Sequence, residues 1–336
     1  MKYDVICVGM ALVDSIIRGF DPTPVSASGY VAESGSLNAG GEAVNEAVAA
    51  AKLGMRTGIL CALGNDPAGR IVLDELERNG VDTACVVKAK ATPVTTMFVN
   101  ADGTRKSVTN QAHRANFHPE KEPSRFTDAK AVILGSLFRA PFDDPGIIHA
   151  VVSAAKAAGQ LVVADTKLPN FRFLTLEDIK DSLPMIDLIT PNEDEARHFT
   201  GKEDPEEMAD VFLSYGVKNV IIKLGARGCL LKNAETTVRL PAMPVRAVDA
   251  TGAGDNLVAG FVSEFLRGAS MEEALRFANA CGAICTTAVG AGTALCSRGQ
   301  VLEFLGLIGV IVNPTTTAPG DSERAMGYEE PRVDEK

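Results

Sequence analysis

The sequence predicts an α/β protein with a mostly parallel central sheet, helices on its faces and a small antiparallel β flap. Short aliphatic runs alternate with helical patterns along most of the chain. Glycines follow the helical runs where a left-handed cap is needed. Two segments of polar-apolar alternation interrupt the rhythm without crossover helices. With 336 residues, 46% of them hydrophobic, the chain can bury a substantial core.

In chain order, residues 5–8 are the first buried strand. Helix 44–52, strand 57–62 and helix 68–78 follow, then strand 131–134, helix 145–158, strands 161–164 and 188–190, helix 208–215 and strand 219–223. Gly54, Gly80, Gly159 and Gly216 each separate a helical run from the next strand. Segments 29–37 and 94–109 form the flap, the second with an Asn-Ala-Asp-Gly turn at 100–103; the flap is an extra sheet edge or a lid over a ligand. From Asn313 the chain is rich in Pro, Thr and charge, as expected of a tail outside the core.

The formal net charge of -10 argues against nucleic acid or an anionic membrane as partner, since both require clustered Lys and Arg. A phosphate-bearing small molecule stays open, because backbone amides bind anions without net positive charge. Seven cysteines with no C-x-x-C pair fit reduced thiols in a cytoplasmic protein. Cys281 and Cys285 lie one helical turn apart, but with no histidine near them core packing is preferred to a metal site. MKYDVICVGM starts with a strand-like run and does not read as a signal peptide, and no run reaches the eighteen or so apolar residues of a membrane span.

The chemistry is concentrated where strands end. In AVDATGAGDNLVAGF, Gly252, Ala253 and Gly254 permit a concave run of amides at the positive end of a helix, a shape suited to an anion. Asp255 in that first turn reads either as a helix cap or as a base held beside the anion. Gly40, Gly41 and Asn45 open another helix, and Asp14 follows the first strand; carboxylate, amide and bare backbone suit a polyhydroxylated ligand. Taken singly, Asp14 is a loop acid and Asn45 a cap. TPNEDEA at 190–196 places acids in a helix first turn, and KLGARG at 223–228 is a strand-end turn. A Walker loop is excluded, because 64–71 lacks the lysine and hydroxyl, and 8–13 has one glycine where a dinucleotide fingerprint needs three.

In combination, Asp14, GGEAVNEAVAAAKLG, GNDPAGR, TPNEDEA, KLGARG and DATGAGD resemble the ribokinase (PfkB-type) carbohydrate kinase family over roughly residues 4–305. The resemblance implies a ribokinase-like three-layer sandwich with a small antiparallel β lid. It divides the chain into a kinase domain at 1–305, with lid segments near 15–38 and 92–112, and a tail at 306–336. The implied activity is ATP-dependent phosphorylation of a small sugar, fructose-, ribose- or keto-deoxy-sugar-like. A nucleoside kinase, or a non-catalytic sugar or nucleotide sensor on the same scaffold, is the alternative. By resemblance, Asp255 is the general base and the amides of Gly252, Ala253 and Gly254 form the anion hole, with the helix start keeping Asp255 ionised. Asp14, Gly40, Gly41 and Asn45 hold sugar hydroxyls. Asn192, Lys223, Gly225, Gly228 and Asn279 belong to the ATP site, Lys223 standing where many relatives have Thr. Glu195 organises magnesium through water, and Asp249, Thr251, Thr286 and Val289 mark a potassium position. The lid implies a homodimer. Where many relatives have D-x-N-x-R, this chain has Asp165-Thr166-Lys167-Leu168-Pro169, which leaves the sugar's identity open.

Overall fold

A computed structural model describes residues 1–19, 31–100, 105–110 and 117–306. Its first part runs β1 (Tyr3–Val8), β2 (Leu12–Arg18), β3 (Ser34–Gly40), α1 (Glu42–Lys52), β4 (Thr57–Leu60), β5 (Ala62–Gly64), α2 (Pro67–Arg78), β6 (Val87–Ala89), β7 (Val94–Val99) and β8 (Arg105–Thr109). Then come β9 (Ala129–Leu137), α3 (Pro145–Ala157), β10 (Leu161–Thr166), β11 (Leu188–Ile189), α4 (Glu193–Thr200), α5 (Pro205–Ser214) and β12 (Asn219–Lys223). The last are β13 (Cys229–Asn233), β14 (Thr237–Leu240), α6 (Ala253–Phe265), α7 (Met271–Cys285) and α8 (Arg298–Phe304).

The main sheet has the order β14-β13-β12-β11-β10-β9-β1-β4. Its pairings from β4 to β12 are parallel, and β13 and β14 add an antiparallel edge. The two-residue period of each strand sends alternate side chains to opposite faces. Val5, Cys7, Ile133 and Val163 pack with α1, α6 and α7, whereas Ile6, Val8, Val132 and Ala164 pack with α3 and α5. Two cores on one sheet make the three-layer sandwich. Gly54, Gly80, Gly159 and Gly216 all have positive φ, as the cap reading requires. The edge strands β13 and β14 were not anticipated by periodicity.

The lid is a separate sheet of order β3-β2-β7-β8. It is mixed rather than wholly antiparallel: β2 pairs with β3 and β7 with β8 antiparallel, but β2 and β7 run parallel. Both strands leave the main body in the same direction, and each is flanked by its own returning strand. Residues 20–30, 101–104, 111–116 and 307–336, which include parts of the expected lid segments and nearly all of the expected tail, lie outside the described residues. Among the described residues no helix is long and apolar enough to cross a membrane. Cys281 and Cys285 are buried in α7, and no group of three or more His, Cys, Asp or Glu converges to hold a metal among the described residues.

Candidate active site

The C-terminal ends of β9, β10 and β12, the starts of α1, α4 and α6, and the inner face of the lid enclose a cavity of about 1210 Å³. Open α/β sheets bind ligands at this edge because the strand ends and helix starts leave backbone groups and loops there. Asp14, Gly41, Asn45, Asn192, Glu195, Lys223, Gly225, Gly228, Thr251, Gly252, Ala253, Gly254, Asp255, Asn279 and Thr286 all line it. Gly40, Asp249 and Val289 do not.

At one end, α6 starts on Gly252, whose φ of 77° is left-handed and whose Cβ, if present, would lie 2.2 Å from that of Ala291. Only glycine fits there. No side chain caps this helix. The Ala253 amide closes a turn onto the Ala250 carbonyl at 3.2 Å, so it is already engaged. The amides of Gly252, Gly254 and Asp255 make no hydrogen bond among the described residues. Asn256 braces the turn from behind, its amide donating to the carbonyls of Gly252 and Ala291 at 2.7 and 2.9 Å.

Asp255 is buried, and Asn45 Nδ2 donates to its Oδ2 at 2.6 Å. Helix α1 thus holds the candidate base on α6. Burial, reinforced by the nearby Glu42 charge, pushes the Asp255 carboxyl up to about 6, against Lys167 and the Asn45 hydrogen bond. The helix start therefore does not dominate its ionisation; burial does. Asp14 is a strand residue of the lid's β2 rather than a loop acid, and burial followed by Glu42 raises it to about 6 as well. Gly40 pairs with Leu12 across β2 and β3, and a Cβ on it would sit 2.2 Å from Asp14 Oδ2. It leaves room for that carboxyl.

Lys223 and Asp165 form a buried pair at 2.5 Å, and Thr190 Oγ1 donates to the same carboxylate oxygen at 2.7 Å. Burial opposes the Lys223 charge, but Asp165 and Glu195 outweigh it and hold the ammonium above its ordinary range. Nζ lies 3.1 Å from where a Cβ on Gly254 would be, beside the uncapped turn. Asn192 and Glu195 form a capping box on α4, and Glu195 Oε2 also accepts from Thr166 Oγ1 at 2.9 Å. Its Oε1 makes no hydrogen bond among the described residues. Asn279 Nδ2 donates to the Pro241 carbonyl at 2.8 Å and anchors α7 to the loop before α6.

The residues of the expected potassium position carry hydrogen bonds within the chain. Thr286 O accepts the Val248 and Asp249 amides at 2.7 and 3.1 Å, and Val289 O accepts the Thr293 hydroxyl at 2.8 Å. Asp249 binds the Thr251 amide and hydroxyl and the Gly290 amide. Both lone pairs of Thr286 O are thus engaged by backbone amides.

Sequence reasoning assigned no role to Glu42, Ser136, Arg139 or Asp165. Lys167 Nζ pairs with Glu42 at 2.6 Å, and Ser136 Oγ donates to the same carboxylate. Lys167 was visible only as a departure from the D-x-N-x-R pattern; nothing local marks Glu42 as its partner.

A model of pfkB family carbohydrate kinases matches residues 4–297. The chain belongs to the PfkB family of carbohydrate kinases. Ribokinase of Haemophilus influenzae is 30% identical to this sugar kinase over 79% of the chain and 87% of the relative. The structure of Arabidopsis thaliana ribokinase complexed with ribose and ATP superposes with a TM-score of 0.77 at 27% identity, covering 91% of this chain and 99% of that one. A chain from E. coli with the provisional name ribokinase II, solved with ATP and magnesium, gives 0.73 at 25% identity over 90% and 99%. A bacteriophage holin model also matches residues 271–332, a short stretch that in the described part is the packed helix α7 and the segment through α8.

Proposed function

We propose that this kinase transfers the γ-phosphoryl group of ATP to a hydroxyl of a small sugar, with Asp255 as general base. The observation that carries this reading is a buried carboxylate, oriented by Asn45, at the start of an uncapped helix whose unpaired amides face a large cavity. The acceptor hydroxyl attacks the γ-phosphorus, its proton passes to Asp255, a sugar O–P bond forms, and the bond from the γ-phosphorus to the departing ADP oxygen breaks. Phosphoryl transfer of this kind asks mainly for positioning and charge stabilisation. The amides of Gly252, Gly254 and Asp255 meet the developing charge, and Lys223 adds a cation beside them. A base near 6 is ionised at neutral pH yet close enough to it to accept a proton.

Asp14, Gly41 and Asn45 define the sugar end, with Gly40 backing Asp14. Lys223, Gly225 and Gly228 line the ATP end, where Met243, Pro244 and Val245 offer an apolar wall to the base. Magnesium, bound with ATP, would neutralise phosphate charge, and Asn192 and Glu195 would hold it through water. No step is routed through potassium. The domain is 1–305 with a two-segment lid, in a cytoplasmic protein. The exposed outer strand β3 supports pairing of two subunits through the lid, which a dimer mass in equilibrium sedimentation checks.

ADP formation across a sugar panel, for the natural chain and Asp255→Asn, tests the chemistry. The substitution is expected to lower kcat by about 100- to 10,000-fold with nucleotide binding retained. Undiminished turnover would exclude Asp255 as the base, and ligand binding without ADP formation would favour a sensor.

A further inference from the structure

Arg139 stands out among the cavity's charges. Lys223 is paired with Asp165 and Lys167 with Glu42, whereas Arg139, which lines the same cavity, has no carboxylate within salt-bridge distance among the described residues. Its Nε donates to the Leu168 carbonyl at 2.7 Å, which fixes the plane of the guanidinium and leaves both η nitrogens without a protein partner among the described residues.

The backbone that presents it is built at a cost. Ser136 and Phe138 have φ of 69° and 77°, a left-handed conformation that non-glycine residues rarely adopt. The Arg139 amide closes this bend onto Ser136 O at 2.9 Å, Phe138 N donates to Phe142 O at 3.0 Å, and Lys167 N donates to Leu137 O at 2.9 Å. Two strained residues, locked by three backbone hydrogen bonds, thus present at the ligand cavity a guanidinium that has no carboxylate partner among the described residues. A fork of this geometry matches the two oxygens of a carboxylate or phosphate monoester.

Among the described residues the rest of the sugar end does not neutralise it. Glu42 is satisfied by Lys167 and Ser136. Asp14 and Asp255 line the same cavity as Arg139. An acceptor can therefore present a hydroxyl to Asp255 and an anionic group to Arg139.

Resting on the kinase reading above, we propose that the acceptor is an anionic sugar, a sugar acid or a sugar phosphate, whose charged group is received by the Arg139 guanidinium. The test measures kcat/KM for ADP formation by the full chain on matched sets: glucose, gluconate and glucose 6-phosphate; fructose and fructose 6-phosphate; ribose, ribonate and ribose 5-phosphate. At least one anionic member is expected to exceed its neutral counterpart by about 10-fold or more. Arg139→Met is expected to collapse that ratio by about 10- to 100-fold, chiefly through KM, as loss of a charge-assisted hydrogen-bond pair implies. The carboxylate and phosphate members separate the two sources of charge. Arg139→Lys keeps the charge without the fork; partial retention of the ratio supports the assignment, and it serves if Arg139→Met fails to fold. Phosphoryl transfer that favours neutral sugars, or an anionic preference untouched by both variants, overturns the inference while leaving the kinase reading intact. If no sugar of either kind supports ADP formation, the kinase reading falls, and this inference with it.

Discussion

Asn45 and Asp255 are 210 residues apart in sequence, yet their side chains share a short polar contact at the phosphoryl end, at 2.6 Å. An amide donating to a carboxylate stabilises its charged form and so lowers its pKa, here against burial and the Glu42 charge, which together hold it at about 6. Ionised Asp255 is the form that accepts a proton, so kcat/KM is expected to rise with pH through about 6, a value that belongs to the whole carboxylate cluster. Removing the donor in Asn45→Leu raises that value. The acid limb of the pH-rate profile then shifts upward, and the loss of activity is larger at low pH than at high pH. A loss of equal size at every pH would show instead that Asn45 contacts only substrate.

Strands β10 and β12 meet the site through Asp165 and Lys223, one at each strand's end, both buried and joined at 2.5 Å. Removing one member of such a pair strands the other charge in a poorly solvated place, whereas removing both often costs little. Lys223→Met is expected to lower stability by about 3 kcal/mol, and Lys223→Met with Asp165→Leu to recover much of that, as read by urea denaturation. Near-additive losses would mean that the pair is solvated and weak. The partnership also marks where sequence reading stops. Helices α1, α2 and α3, the strand runs and the glycine caps were legible because each depends on local period and turn chemistry. The glycine turn at 252–254 was legible for the same reason, but a cap was the local reading of Asp255, and no side chain caps the helix. What joins Lys223 to Asp165, Lys167 to Glu42 and Asn45 to Asp255 is tertiary proximity, which leaves no local trace. The parallel pairing of β2 with β7 escaped for the same reason: each flap segment shows its own alternation, but not the direction of its neighbour.

Across the described residues, the carboxylates displaced from their ordinary range fall into two populations with opposite effects on stability. Asp4, Asp66, Asp82, Asp144, Asp187 and Glu193 are held below their ordinary range by cationic or amide partners, and Glu42 at about 2 by Lys167. These groups contribute stability above the ordinary carboxylate range and lose it as pH falls. Around the cavity the sign reverses. Asp14 and Asp255 are raised from 3.8 to about 6, and Glu46 on α1 is raised well above 4.5, first by burial and then by Asp165, Asp255 and Glu42. Both carboxyl oxygens of Glu46 are buried without a partner among the described residues. The folded chain keeps protons on these groups that the unfolded chain releases, so stability falls as pH climbs from 3.8 through about 6 for the two aspartates and further for Glu46. Growing self-repulsion of a chain with formal charge -10 acts in the same direction. The melting temperature of the ligand-free protein is therefore expected to peak at about pH 5 and to decline toward pH 8, in place of the broad neutral plateau common to globular domains. Glu46→Gln cannot ionise in either state, so its melting curve should decline less over the same range, and the gap to the natural chain should widen with pH. Parallel curves for the two proteins, or a melting temperature that rises steadily from about pH 5 to 8, would mean that Glu46 ionises freely in the fold and that the carboxylates around the site are not under strain.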